Sequence, residues 1–407
     1  MKRLFGKRSE DINSIEVSTK HLTLRVVLFS VFLVLGIGAI IYGLSGLFSD
    51  EGGWQVIEAE PYASADCSDE FIFQYELGAG SISPKTEYNQ LSRLYGEVAA
   101  KMYQLFHQNQ LFDGVNNVAY LNAHPNETVE VGSVLYNAFE MLDKAGSRQL
   151  FLAPYWEYYY VLFSCTEDWE TESYDPVLNG ELRELFLQIS DYIKDSEAVS
   201  LELYGDNRVC LKVSQEYMKF AEENDIYCFI DFHFMKNAFI IDYIAQKLIQ
   251  SGYTHGVISS FDGFYRDLDD RGTCYSLNLF DRQGNTALCA AVMEYTKRLS
   301  IVSLRSFPVT AEDKPKYYVT ARGGIRFPYL DMEGNCLAAN NNLVCYSDSM
   351  GCAEILVEML PVYVSDSFDV KGLTSEYVYC REGVIYHSDS EIVLREVFQG
   401  YREEKAE

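Results

Sequence analysis

YCFIDFHFMKNAFIIDYIAQKLIQSGY, Tyr227 to Tyr253, is the deciding stretch of this sequence. It reads as a buried strand, a tight junction and an amphipathic helix. Ile240, Ile244 and Leu248, with Ile241 beside them, recur at helical spacing and predict one apolar face. A strand-to-helix junction of this kind often holds a ligand phosphate, because the free amides and dipole of the helix N-terminus favour an anion. It usually needs glycine so that the backbone can approach the ligand. Here the junction carries His233, Phe234 and Met235. It is either a working site or one that side chains have filled.

Outward from this stretch, helices and strands follow in an irregular order. FIFQYEL, Phe71 to Leu77, alternates as a strand. YNQLSRLYGEVAAKMYQLFHQN sets Leu91, Leu94, Val98, Met102 and Leu105 on one helix face. Further helices are expected over about 132–145 and about 181–194, and a strand pair around Val199 to Val213. FLAPYWEYYYVLF, Phe151 to Phe163, is dense in aromatic residues and reads as core or as a cleft wall. Strands follow at about 256–260, 275–280 and 286–293, and then in KYYVTAR, NNLVCYS and EYVYCREGVIYHS. A helix, SMGCAEILVEML, lies between the last two. No fixed-period repeat interrupts this order. It defines an α+β fold, strands with helices packed against them, and not a regular βαβ alternation.

Composition bounds the function. A hydrophobic content of 48% over 407 residues excludes a mainly disordered chain, and 31 tyrosines and 24 phenylalanines supply aromatic mass for a core. Val26 to Ser49 is an uncharged run of 24 residues. At ~1.5 Å per residue it spans about 36 Å, enough for a transmembrane helix. Residues 1–25 hold six basic and three acidic residues, net +3, and the remaining 27 basic and 57 acidic residues give −30. The positive-inside rule places residues 1–25 in the cytoplasm and everything after the span outside the cell. An outer part this acidic repels nucleic acid. Residues 50–64 read as a short stalk, 65–395 as one extracytoplasmic domain and 396–407 as a charged tail. All ten cysteines lie outside, where disulfides are permitted. The pairs Cys274/Cys289 and Cys336/Cys345 flank turns and are compatible with a bridge or with free buried thiols.

The order and spacing of these motifs resemble the ApbE family, the FAD:protein FMN transferases. VNNVAYLNAHPNETVEVGSVLYNAFEMLDKAG, 115–146, resembles the family's N-terminal helix, short connection and second helix. LAPYWEYYYVLF falls where the family reads AFDPTVGPLVDLW. The deciding stretch falls in register on DLGGIAKGYAVD, with Asp231 on the first Asp, Asn237 on the Lys and Asp242 on the last Asp. GVISSFDGFYRDL takes the place of LVNLGGDIR, IRFPYLDMEGNCL that of HIIDPKTGYP, and DSMGCAEILVEMLPV that of TAMLADALATALFVL. The resemblance covers about residues 65–390. It implies a T-fold-like mixed-sheet domain that binds FAD and Mg²⁺ and moves FMN onto a Thr or Ser of an extracytoplasmic protein.

The chemical motifs diverge within that frame. Flavin transfer is phosphoryl transfer, in which the protein positions a diphosphate and neutralises its charge, with Mg²⁺ held by carboxylates. The family's metal-binding Asp and Thr fall on Ala353 and Val357, neither of which can coordinate. Glu354, with Glu358 one turn on, and Asp331 are the substitute metal candidates. The first Gly-Gly becomes His233 and Phe234, the Lys becomes Asn237, and the second Gly-Gly-Asp becomes Phe261, Asp262 and Gly263. The resemblance makes Asp231, Asn237, Tyr155, Trp156 and Arg326 candidates for flavin contact, with Tyr158 beside the aromatic pair and Arg322 near Arg326. His233 and Asp262 are the candidate catalytic residues, His233 because an imidazole titrates near neutrality and can act as a general base. The sequence thus predicts a membrane-anchored ApbE-like domain that has lost transfer and binds or scaffolds a partner. The alternative is an active transferase served by Glu354, Asp262 or Asp331.

Overall fold

In a computed structural model of the chain, the described residues are 52–63, 65–164, 171–310, 313, 316–389 and 391–406. The span expected over 26–49 and the basic segment before it lie outside them. No helix among the described residues is long and apolar enough to cross a membrane.

Nine strands build the central sheet. In spatial order they are Gly53–Val56, Phe71–Leu77, Gly256–Ser260, Phe264–Asp267, Ser300–Arg305, Asn342–Ser347, Glu376–Arg381, Val384–His387 and Arg402–Lys405. All neighbours run antiparallel except the last pair, which is parallel and makes the sheet mixed. The two edges correct the expected bounds. Part of the expected stalk is the edge strand Gly53–Val56, and part of the expected tail is the opposite edge strand Arg402–Lys405. Neither has a buried side chain, so both pair through the backbone and leave no apolar alternation to read. The charged side chains of the second also discourage further strands from adding there.

The sheet is covered on both faces. On the strand Ser300–Arg305, Val302 and Leu304 enter the main core, while Ile301 enters a second core with Leu277, Leu279 and Met293. The main core holds the helix Lys236–Gln250, whose Ile240, Ile241, Ile244 and Leu248 are all buried, as their spacing predicts. That helix packs against the helices Pro84–Phe106 and Cys352–Tyr363. The opposite face is covered by the hairpin Tyr275–Gln283 and Thr286–Tyr295, extended by Val393–Arg395. A separate three-stranded sheet joins Thr128–Glu130, Arg208–Val213 and Val199–Leu203.

The start of the deciding stretch is a correction: it is not a strand. Residues 227–231 pair with no sheet; side chains accept from the amides of 227–230, and the Asp231 amide donates to the Leu150 carbonyl at 3.0 Å. Glu157 accepts from the Tyr227 and Cys228 amides at 3.0 and 2.8 Å. Asn122 Oδ1 accepts from the Phe229 and Ile230 amides at 3.0 and 3.1 Å, while its Nδ2 donates to the Ile230 carbonyl at 2.9 Å. A buried backbone needs partners, and a carboxylate and an amide serve as well as a ladder.

The four cysteines of the two candidate bridges are free. The hairpin register sets Phe280, not Cys274, opposite Cys289. Cys345 lies in a central strand, whereas Cys336 sits in a connection with its thiol against the Phe327 carbonyl.

Candidate functional site

The junction before Lys236–Gln250 borders a cleft of about 1080 Å³. Its walls come from the aromatic stretch (Trp156, Tyr158, Tyr160, Phe163), from the deciding stretch and from Glu70, Asp262 and Lys316. The aromatic stretch folds as short helices, Ala153–Tyr159 and Val161–Ser164, so its rings divide between two faces. Trp156 and Tyr158 line the cleft, and the Tyr158 hydroxyl donates to the Asn224 carbonyl at 2.7 Å. Tyr155 corrects its expected role. It is fully buried, and its hydroxyl lies within hydrogen-bond distance of the Phe186 and Met332 carbonyls at 3.1 and 3.2 Å.

At the junction, His233 keeps the left-handed backbone that glycine adopts freely, at φ +48°. Its ring stacks on Trp156 with centroids 5.0 Å apart, and its Nδ1 lies 2.9 Å from Asp231 Oδ2. The imidazole is 3% exposed, and its Nε2 is buried without a hydrogen-bond partner. Burial pushes the Asp231 carboxyl up, but His233 and Lys236 outweigh it and hold the group below the usual carboxylate range. Phe234 packs edge-on against Tyr329 at 5.1 Å. The junction takes the conformation that glycine adopts freely, and side chains occupy the space glycine would leave open.

Beside it runs a polar network. Lys236 Nζ contacts Glu70 at 2.7 Å, and Asn237 Nδ2 donates to Glu70 at 2.9 Å and to Asp262. Lys316 Nζ lies 2.9 Å from Asp262. Burial pulls the Lys236 ammonium down, but the Glu70 carboxylate with its neighbours more than offsets this and leaves it above its ordinary value. Asp262 is placed by Gly263, at φ +92°, where a Cβ would run into the Ser303 carbonyl.

The expected metal candidates are corrected by their partners. Ala353 and Val357 lie on Cys352–Tyr363, and Ala353 is buried. Asp242 caps this helix, accepting from the Cys352 and Ala353 amides at 2.9 Å each, and it pairs with Arg266 at 3.2 Å. Glu354 accepts from the Gly351 amide at 2.9 Å. Glu358 accepts from the Ser375 amide and hydroxyl at 3.0 and 2.8 Å, and from the Thr374 hydroxyl. Asp331 closes its own turn onto the Glu333 and Asn335 amides at 2.8 and 2.9 Å. No group of three or more metal-ligating side chains converges among the described residues. Glu354 and Asp331 do not fit as ligands for Mg²⁺, which needs one or two carboxylates free to coordinate, because each is engaged by amides of its own turn. Arg326 is also corrected: it is committed to the buried Asp175, with Nε and Nη2 each 3.0 Å from Oδ2, and Arg322 is exposed in the turn before it.

Of the sequence-predicted residues, the cleft brings together Asp231, His233, Trp156, Tyr158 and Asp262, with the buried Asn237 linking Asp262 to Glu70. It leaves out Tyr155, Arg326, Asp331 and Glu354. Glu70, Glu157, Lys236 and Lys316 were missed. Lys236 carried a readable signal, because a cation in the first turn of a helix opposes the helix dipole and calls for an anionic partner. The other three are placed by tertiary contacts.

The sequence matches no family model and no curated protein. The fold does match solved structures. An ApbE protein from Thermotoga maritima superposes with a TM-score of 0.50 at 16% identity, covering 84% of this chain and 97% of that one. The flavin transferase ApbE from Vibrio cholerae gives a TM-score of 0.47 at 11% identity, covering 86% of this chain and 100% of that one. The chain has an ApbE-like α+β fold.

Proposed function

We propose that this chain is an extracytoplasmic ApbE-like domain, held to the membrane by residues 26–49, that does not transfer flavin and acts by binding a partner in its cleft. The observation that carries this reading is the helix N-terminus at Ala353. Where the resemblance implies a metal, Asp242 is spent on two backbone amides and an arginine, and the neighbouring carboxylates are each bound to their own amides or hydroxyls. Groups that act as a catalytic unit fail together, so the loss of the metal ligands, the first glycine pair and the lysine is not repaired by one neighbour. Phosphoryl transfer through this site would have to proceed without a group that neutralises the diphosphate.

The test incubates the full-length chain with FAD, Mg²⁺ and an acceptor protein bearing a family-type Thr/Ser target motif. The expected result is an acceptor without flavin fluorescence on a denaturing gel. A fluorescent acceptor band overturns the reading.

A further inference from the structure

We propose that the cleft takes a planar organic cation bearing N–H donors, a guanidinium, in place of an anionic dinucleotide. This deepens the reading above and rests on it. Three independent features of the cleft support one ligand chemistry.

The first is charge. The lining carries Glu70, Glu157, Asp225, Asp231 and Asp262 against Lys236 and Lys316, a net −3 with His233 neutral. Both lysines are already paired, Lys236 with Glu70 and Lys316 with Asp262. No uncommitted cation among the lining residues meets a diphosphate, whereas Asp225 and Glu157 leave excess negative charge beside Tyr227.

The second is surface. Trp156, Tyr158, Tyr160 and Tyr227 line the same space, and Tyr160 and Tyr227 are 61% and 72% exposed. A cation over such a ring is attracted by the ring's negative face, and more so where carboxylates add to the potential.

The third is the unpartnered His233 Nε2. Nδ1 faces Asp231 Oδ2 at 2.9 Å, so with the Nδ1–H tautomer Nε2 is the acceptor left for a ligand. A buried acceptor without a donor is costly, and a ligand N–H would remove that cost. A guanidinium answers all three features, because it is permanently charged, planar enough to stack and carries five N–H donors. An ammonium has the charge and donors but no plane. The guanidinium can belong to a small free molecule or to an arginine side chain of a polypeptide, and the test separates the two.

The full-length chain is titrated calorimetrically with agmatine, with an end-blocked Gly-Arg-Gly peptide, with the matching Gly-Lys-Gly peptide and with FAD. The expected result is saturable binding of a guanidinium ligand with Kd below about 1 mM. That binding weakens as salt is raised, is weaker for the lysine peptide and has no counterpart with FAD. Equal affinity for agmatine and the arginine peptide supports a small free ligand, and binding of the peptide alone supports a polypeptide partner. The double variant Glu157→Gln/Asp225→Asn keeps the hydrogen-bond acceptors and removes two charges, and it weakens guanidinium binding about tenfold. Trp156→Leu weakens it several-fold, and the salt and lysine comparisons test the same point on the unaltered chain. Binding of FAD with no guanidinium binding overturns the proposal, as does guanidinium binding unchanged in both variants. Silence towards every ligand overturns this inference alone, while a flavinylated acceptor overturns the reading beneath it.

Discussion

Two helix N-termini face the region where the resemblance implies a cofactor, and they are closed in opposite ways. Cys352–Tyr363 begins under carboxylates: Asp242 holds the Cys352 and Ala353 amides, and Glu354 reaches back to that of Gly351. Lys236–Gln250 begins with no side-chain cap and with a lysine in its first turn, held by Glu70. At the first end the protein supplies the anion that a ligand would otherwise bring. At the second it supplies a cation and then neutralises it. Asp242 stands on the second helix, so one helix plugs the other. Where the resemblance implies a phosphate or a metal, Asp242, Glu354 and Lys236 each have a partner inside the chain.

The largest effect should come from removing the plug. Asp242→Ala strands two amides in a mostly buried setting and leaves Arg266 without its carboxylate, and we expect a loss of about 3 kcal/mol. Urea denaturation reads it directly, and a change within experimental error would break the comparison at its stronger end. Next is Ala353→Asp, which places a carboxylate where the resemblance implies a metal ligand. An acid in the first turn gains from the helix dipole, but Ala353 is buried and Asp242 is already there. Desolvation wins, and we expect a destabilisation of about 2 kcal/mol with no recovery in millimolar Mg²⁺. A Mg²⁺-dependent rise in the melting temperature of this variant would mean that one missing ligand, and not a rebuilt site, separates this cleft from a metal centre.

The sequence made the helical half of the deciding stretch legible, because Ile240, Ile241, Ile244 and Leu248 follow helical spacing and burial obeys it. It hid the other half. Residues 227–230 are as apolar as a strand, yet their amides are held by the side chains of Glu157 and Asn122, far back in the chain. The aromatic stretch was ambiguous for a different reason. In a run of near-continuous rings the one charged residue, Glu157, turns to the Tyr227 and Cys228 amides and marks no solvent side, so Tyr155 in the core and Trp156 in the cleft look alike. The metal candidates misled because a carboxylate near a helix start has the same residue type whether it binds a cation or caps amides. The pairing of Lys316 with Asp262 depends on a meeting of distant loops that no local spacing encodes.

The junction end should respond to pH. Asp231 is held below the usual carboxylate range by His233 and Lys236 against the opposing effect of burial. A depressed carboxyl contributes stability above its unfolded pKa of about 3.9 and loses it as pH falls through the lower folded value. Asp231→Asn keeps the acceptor for the His233 amide, so it should cost about 1 kcal/mol near neutrality and flatten the acid limb of stability below about pH 4. An acid limb identical to that of the unaltered chain would show that the pair with His233 contributes nothing measurable.

The smallest effect tests whether the plugged N-terminus is saturated. Glu354→Gln preserves the hydrogen bond to the Gly351 amide, because glutamine serves the same position of a capping box. Only the charge is lost. Its interaction with the helix dipole is worth roughly 0.3–1 kcal/mol when it stands alone. Here Asp242 already supplies negative charge to the same end; burial chiefly pushes its carboxyl up and Glu354 adds a little, so removing Glu354 also relieves a small repulsion. The net cost should therefore be about 0.3 kcal/mol or less. In an Asp242→Ala background the repulsion is gone and the dipole is unmet, so the same substitution should cost about 1 kcal/mol. A double-mutant cycle measures that coupling. Additive losses would mean that the two carboxylates act independently, and that the N-terminus at Ala353 could still accept a further anion.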